Sequence, residues 1–262
     1  MIYCSSLLLW INFMIRVLYS RPNIFFQIIW KYIIKNAILW KKQDVSIHFD
    51  RIRLVWPNEH WFFYTAIEVF EWKLYKKLIW CNHILDLWWY LWESAVRFAQ
   101  YNKQVTVVEA NDANYIYIAK NIKPYNNIIS FHGAIVYQQD QQLYYSWNDY
   151  SAGGKIVTTP TDRKIKNIAI EKIFSSDIDG LKMDIEWWEY DIISYFMKEK
   201  ILQLQKWYIE FHDIRQNKNI IQDFITLLVK NHYTLQYENI YWKDLTKNKF
   251  FIENIAVIYF EG

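Results

Sequence analysis

Residues Ile84–Ser94 read Ile-Leu-Asp-Leu-Trp-Trp-Tyr-Leu-Trp-Glu-Ser. The pattern is a short apolar strand carrying an acid near its end, a turn, and the start of a helix. A chain that reverses this sharply passes through positive φ, which glycine alone adopts freely. Three tryptophans, Trp88, Trp89 and Trp92, stand there instead.

Composition sharpens the contradiction. Glycine occurs 5 times in 262 residues, roughly 2% where about 7% is usual. Tryptophan, ordinarily rare, occurs 15 times. Together they approach the usual glycine share alone. The chain also favours Ile, Lys, Asn, Tyr and Phe, as AT-rich genomes do. Some bacterial lineages read UGA as glycine, and other codes read it as tryptophan. Many of these tryptophans are therefore read here as glycines of the living protein. Trp80, Trp88, Trp89, Trp92, Trp147, Trp187 and Trp188 fall at turns or motif positions and are the foremost candidates. Trp207 opens a strand and fits as a true tryptophan.

A chain that is 53% hydrophobic and 22% charged can bury a sizeable core. A formal charge of +3 gives no argument for nucleic acid. The two cysteines, Cys4 and Cys81, form neither a disulfide framework nor a metal-ligand spacing. They fit a reducing compartment and a cytoplasmic location. Residues 1–43 hold six basic and no acidic residues among aromatic and apolar runs. We read them as a separate, basic, amphipathic helical segment. It either covers one flank of the domain or lies on an anionic membrane surface.

From residue 44 to 262 the chain reads as one α/β domain. Val45–Phe49 alternates like a strand, and a helical run surrounds Tyr64–Lys77. Strands then follow at Ile84–Leu87, Val105–Glu109 and Ile128–Phe131, with helices at Ser94–Tyr101 and Ala113–Ile122 between them. Such alternation implies a parallel sheet with right-handed crossovers. Ala134–Tyr137 and Gln142–Tyr145 read as a hairpin, and 146–161 as a polar loop. The sheet resumes at Gly180–Asp184 and Trp207–Phe211, with helices near Tyr190–Lys198 and over 219–230, and a last strand at Ala256–Phe260.

With glycine restored, the opening stretch becomes Asp-Leu-Gly-Gly-Tyr-Leu-Gly-Glu-Ser. The turn then lets a ligand approach bare backbone. Glu109 ends the second strand, 23 residues after Asp86, where an acid can accept from both hydroxyls of a ribose. The D-x-G-x-x-x-G spacing points to S-adenosylmethionine, with Asp86, Trp88, Trp89, Trp92, Glu109, Ala110, Asn111, Gly133 and Ala134 around it. As printed, the indoles would occupy the cofactor's space. The literal sequence should show crowding after the first strand and a small cleft.

Lys182-Met183-Asp184-Ile185-Glu186-Trp187-Trp188-Glu189 is the second informative stretch. With glycine restored it resembles the K-x-D-x-E-G-x-E hallmark of the FkbM family of S-adenosylmethionine-dependent methyltransferases. The turn at Asp86–Trp92 and the run Tyr208–His212, with its acid Glu210, are similar to that family too. The likeness runs from about Val45 onward. It departs at residues 88, 92 and 187, where the family has glycine, and after Glu109, where proline is common. It implies a Rossmann-like seven-stranded methyltransferase sheet with helices on both faces and the last strand inserted antiparallel. It also implies O-methylation of a hydroxyl, on a small molecule, sugar or glycan.

Removing the acceptor's proton calls for a base. His212 and Glu186 are the candidates, Lys182 tunes the neighbouring acids, and Asp184, Glu189 and Glu210 complete the catalytic set. No metal ligands are assigned, although the carboxylates could bind a divalent cation instead. Two rival readings stand. In one, genuine tryptophans fill the pocket of a non-catalytic binding module. In the other, Asp177-Ile178-Asp179 serves a glycosyltransferase.

Overall fold

The computed structural model describes residues 18, 45–49, 52–56, 69, 75–88, 93–137, 142–146, 155–185, 188–199, 203–238 and 255–262. The chain divides into two compact units, Met1–Leu74 and Tyr75–Gly262. In the first, β1 (Val45–Phe49) pairs antiparallel with β2 (Ile52–Trp56). The hairpin thus falls outside the larger unit, which sequence reading had begun at residue 44. Of residues 1–43 only Leu18 is described, so the basic segment lies outside the described residues.

The second unit opens with a left-handed Tyr75 and a 3-10 turn at Lys76–Leu78, so the helical run expected to reach Lys77 does not extend as an α-helix over residues 75–77. Next come β3 (His83–Trp88), α1 (Glu93–Ala99), β4 (Gln104–Glu109), α2 (Asp112–Ile122) and β5 (Ile128–His132). Five short strands follow: β6 (Ala134–Val136), β7 (Leu143–Ser146), β8 (Lys155–Val157), β9 (Lys164–Ile165) and β10 (Asn167–Ala169). The chain then runs through β11 (Gly180–Asp184), α3 (Glu189–Glu199), β12 (Lys206–His212), α4 (Lys218–Lys230), β13 (Thr234–Glu238) and β14 (Ile255–Glu261).

Seven strands make the main sheet, in the order β13-β14-β12-β11-β3-β4-β5. β3, β4, β5, β11 and β12 are parallel, and β14 runs antiparallel between β12 and β13. This is the inserted-strand arrangement expected. The central strands bury nearly every residue, as a sheet covered on both faces requires. α4 buries Ile221, Phe224 and Leu228, the stripe of a 3.6-residue period. Trp207 lies fully buried against Phe196 and Phe224, with ring centroids 4.9 and 5.6 Å away.

The expected hairpin does not form. β6 pairs in parallel with β10, while β7 pairs antiparallel with β8 and β9. Every residue of β6 is buried, whereas β7 alternates. The two therefore suit different sheets. The connecting residues 138–141, Gln-Gln-Asp-Gln, also carry no hairpin-turn signal. β8 falls within the stretch read as a polar loop. Strands β2, β9, β10 and β13 were not foreseen.

Trp80 adopts φ 80° and is 76% exposed. A bulky residue in that region is an outlier; glycine is the usual occupant.

Candidate active site

The chain builds β3, β4 and β5 in one direction along the sheet and β11, β12 in the other. β3 and β11 are therefore neighbours at the point where the order reverses, and ligands of open α/β sheets bind beyond the strand ends at such a point. Cross-strand register puts Lys182 of β11 beside Asp86 of β3, and Asp184 beside Trp88. Of Trp88 only the backbone pairing is described. Trp89, Trp92, Glu186 and Trp187 lie outside the described residues.

Asp86 is fully buried, and its Oδ2 accepts from the Ser94 hydroxyl at 2.6 Å. Ser94 sits in the first turns of α1, so helix and strand end are tied together. Lys182 Nζ, also fully buried, stands 3.8 Å from Asp86 Oδ1 and 3.7 Å from Asp184 Oδ2. It lies 5.4 Å over the Tyr75 ring. Burial pushes the Asp86 pKa up, with Lys182 and Ser94 partly opposing. Burial also pulls the lysine down, opposed by Asp184, Asp86, Glu210 and Glu93.

Glu109 ends β4. Its Oε1 accepts from the Asn111 backbone N–H at 2.6 Å, while Oε2 is buried with no partner in hydrogen-bonding geometry. Burial raises its pKa well above the usual carboxylate range; Asn111, Asn114 and Ala110 offset only part of this. Asn111, assigned to the cofactor from sequence, spends its side chain capping α2 through the N–H groups of Ala113 and Asn114. Gly133 adopts φ +150°, and a Cβ there would come within 2.5 Å of the Lys166 carbonyl. Its N–H donates to the Glu109 carbonyl at 2.8 Å.

Between these strand ends lies a hollow lined by Leu87, Ala110, Gly133, Ala134, Ile185 and Trp188, among others. Its cavity volume is about 10 Å³, whereas small-molecule pockets run to about 300–1,000 Å³. The Trp188 ring forms one wall, and its Nε1–H has no hydrogen-bond partner. Ala110, Gly133 and Ala134 thus gather where sequence reading placed the cofactor, in a narrow space.

At the ends of β11 and β12 a second group converges. Ligating atoms of Asp184, Glu210 and His212 all lie within 4.8 Å of one another. His212 Nδ1 is 2.6 Å from Glu189 Oε1, and Nε2 is 3.7 Å from Glu210 Oε1. Glu189, the first residue of α3, is fully buried; burial raises its pKa and His212 opposes. The Tyr190 hydroxyl donates to the His212 carbonyl. All described members of the expected catalytic set are therefore brought together. The Glu189–His212 contact was not foreseen, because the two residues sit on different elements and no spacing links them.

Asp177 and Asp179 belong to the other end of the sheet. Asp179 accepts from the backbone N–H groups of Asn82 and His83, and Asp177 bonds the His83 ring. Their roles are structural ties at the start of β3.

No protein-family model and no curated protein matches the sequence. Among solved structures, Trm5b from Pyrococcus abyssi aligns with TM-score 0.45 and 11% identity. The alignment covers 84% of this chain and 56% of that one. TYW2 from M. jannaschii, in complex with AdoMet, gives TM-score 0.44 and 12% identity over 84% of this chain and 86% of its own. Precorrin-6y C5,15-methyltransferase from Geobacter metallireducens gives 0.39 and 11%, over 69% and 81%. What defines the fold is the sheet itself: seven strands, reversed between β3 and β11, with β14 inserted antiparallel. That is the methyltransferase form of the α/β sandwich. No helix among the described residues is long and apolar enough to cross a membrane.

Proposed function

We propose that the chain is an S-adenosylmethionine-dependent O-methyltransferase of the FkbM type, acting on a hydroxyl of a sugar or glycan. In this reading the functional protein carries glycine at 88, 89, 92, 187 and 188. The observation that carries it is Glu109: a fully buried carboxylate at the end of β4, the strand next to β3, with one oxygen unpartnered. A buried acceptor of this kind is costly unless a donor arrives, and the paired hydroxyls of a ribose are such donors.

The polar anchors suit a nucleoside, and the hollow that Trp188 lines is too small for one. Glycine at 188 would take away that wall. Glu109 would hold the ribose, and Gly133 and Ala134 would line its base. Asp86, fixed by Ser94 and Lys182, would face the methionine end. When bound, S-adenosylmethionine supplies a methyl group on a sulfonium, an electrophile for oxygen. The acceptor hydroxyl would sit beside Asp184, Glu210 and His212, whose polar atoms would promote loss of its proton, while Glu189 holds the imidazole's orientation.

The test is calorimetric. The chain with glycine at those five positions should bind S-adenosylmethionine, and Glu109→Gln in it should bind at least about tenfold more weakly. Labelled methyl transfer to a panel of glycans then identifies the acceptor. Equal binding by the tryptophan form would remove the steric basis of the proposal. Failure of both forms to bind would favour the filled, non-catalytic module, for which Trp188 in the hollow is the supporting observation.

A further inference from the structure

We infer that Asp184, Glu210 and His212 form a binding site for one divalent cation of intermediate hardness, for which Mn²⁺ is the probe. The three residues come from the ends of two adjacent strands. Glu210 and His212 are two apart in β12 and so share a face. Their ligand atoms, with that of Asp184, fall within 4.8 Å of one another. Bonds of about 2.2 Å to one ion allow separations up to about 4.4 Å, so small side-chain shifts close the set.

His212 is prepared for the task. A carboxylate on Nδ1, here Glu189 at 2.6 Å, fixes the proton there and leaves the Nε2 lone pair toward the acids. Metal-binding histidines characteristically hold their second nitrogen this way. Nε2 stands 3.7 Å from Glu210 Oε1.

Glu189 supplies an independent observation. It is fully buried, and its Oε2, beside the same imidazole, has no hydrogen-bond partner. Asp184, Asp86, Glu210 and Glu93 crowd the ammonium of Lys182, and Glu189 adds another carboxylate to the neighbourhood. A divalent ion between Asp184, Glu210 and His212 would offset the mutual repulsion of these acids. Two carboxylate oxygens and one imidazole suit Mn²⁺, and three protein ligands leave positions for water or an acceptor hydroxyl. The acceptor's place on the ion rests on the methyltransferase reading. The ion's binding does not, and it is measured without methyl donor.

The experiment is titration of the full chain with Mn²⁺ in metal-free buffer, following the electron paramagnetic resonance signal of the free ion. One ion per chain should disappear from that signal. Asp184→Asn, near-isosteric at a side chain only 15% exposed, and His212→Ala should each weaken binding at least about tenfold, and Glu189→Gln by about 10- to 100-fold. Asp177→Asn, at the opposite end of the sheet, should bind as the parent does. Circular dichroism verifies that each variant is folded. If the parent leaves the signal unchanged, or folded Asp184→Asn binds equally well, the cation site is refuted. His212 then acts as a metal-free base, an outcome that leaves donor binding untouched.

Discussion

Lys182 Nζ and Asp86 Oδ1 lie 3.8 Å apart, both side chains wholly removed from solvent, across the two strands where the sheet reverses. The ammonium also reaches Asp184. It therefore links Asp86 of β3 to Asp184 at the end of β11.

Replacing that lysine by methionine leaves Asp86 buried beside an apolar chain. Losing one partner of a buried pair costs about 3 kcal/mol or more. Urea unfolding of Lys182→Met should show a loss of that size. A change below about 1 kcal/mol would mean the pair contributes little to the fold.

Asp86 and Glu109 both have folded pKa values raised by burial. The folded state therefore binds more protons than the unfolded state between the ordinary carboxylate pKa and the raised one. Stability should be fullest below the ordinary value and decline as pH rises through the raised ones. Thermal melts from acid to neutral pH should show this decline, and Glu109→Gln should flatten it. A profile that rises with pH over that window contradicts the assignment.

Trp80 at φ 80° and Trp207 in the core give opposite expectations. Trp80→Gly relieves a left-handed backbone strain of about 1 kcal/mol, less whatever its edge contact with Tyr101 contributes. It should raise the denaturation midpoint. Trp207→Gly should lower stability by more than about 3 kcal/mol. If both substitutions destabilise alike, the argument that residue 80 is a glycine position fails. Intact mass of the native protein decides the same question directly, since each tryptophan-to-glycine difference is a large fixed step.

In the glycine form, Glu189→Gln should lower the methyl-transfer kcat at least about tenfold, because the amide no longer holds the His212 proton on Nδ1. The KM for the methyl donor should stay as it was, since Glu189 does not line the hollow that would hold it. A raised donor KM with unchanged kcat would move Glu189 to the binding side.

The parallel core was legible because burial on both faces leaves continuous apolar runs such as Val105–Val108, each with a helical pattern further on. Strand ends were legible because the acids Asp86, Glu109 and Asp184 interrupt those runs. The small sheet of β7, β8 and β9 was not, since Lys155–Val157 and Lys164–Ile165 are too short to show a period. β6 was misassigned because pairing depends on which neighbour is buried, and Asn167–Ala169 lies far along the chain. At the site, residue types and strand ends were readable, and the side-chain partnership of His212 with Glu189 was not. The crowding expected after the first strand concerns Trp88, Trp89 and Trp92, whose side chains lie outside the described residues.

β14 separates β12 from β13, although its residues 255–261 come after both. While the polypeptide is being made, β13 has nothing in the sheet to join until that stretch has left the ribosome. Translation halted near residue 250 would release a chain with β12 bare along one side, open to pairing with a second unfinished copy.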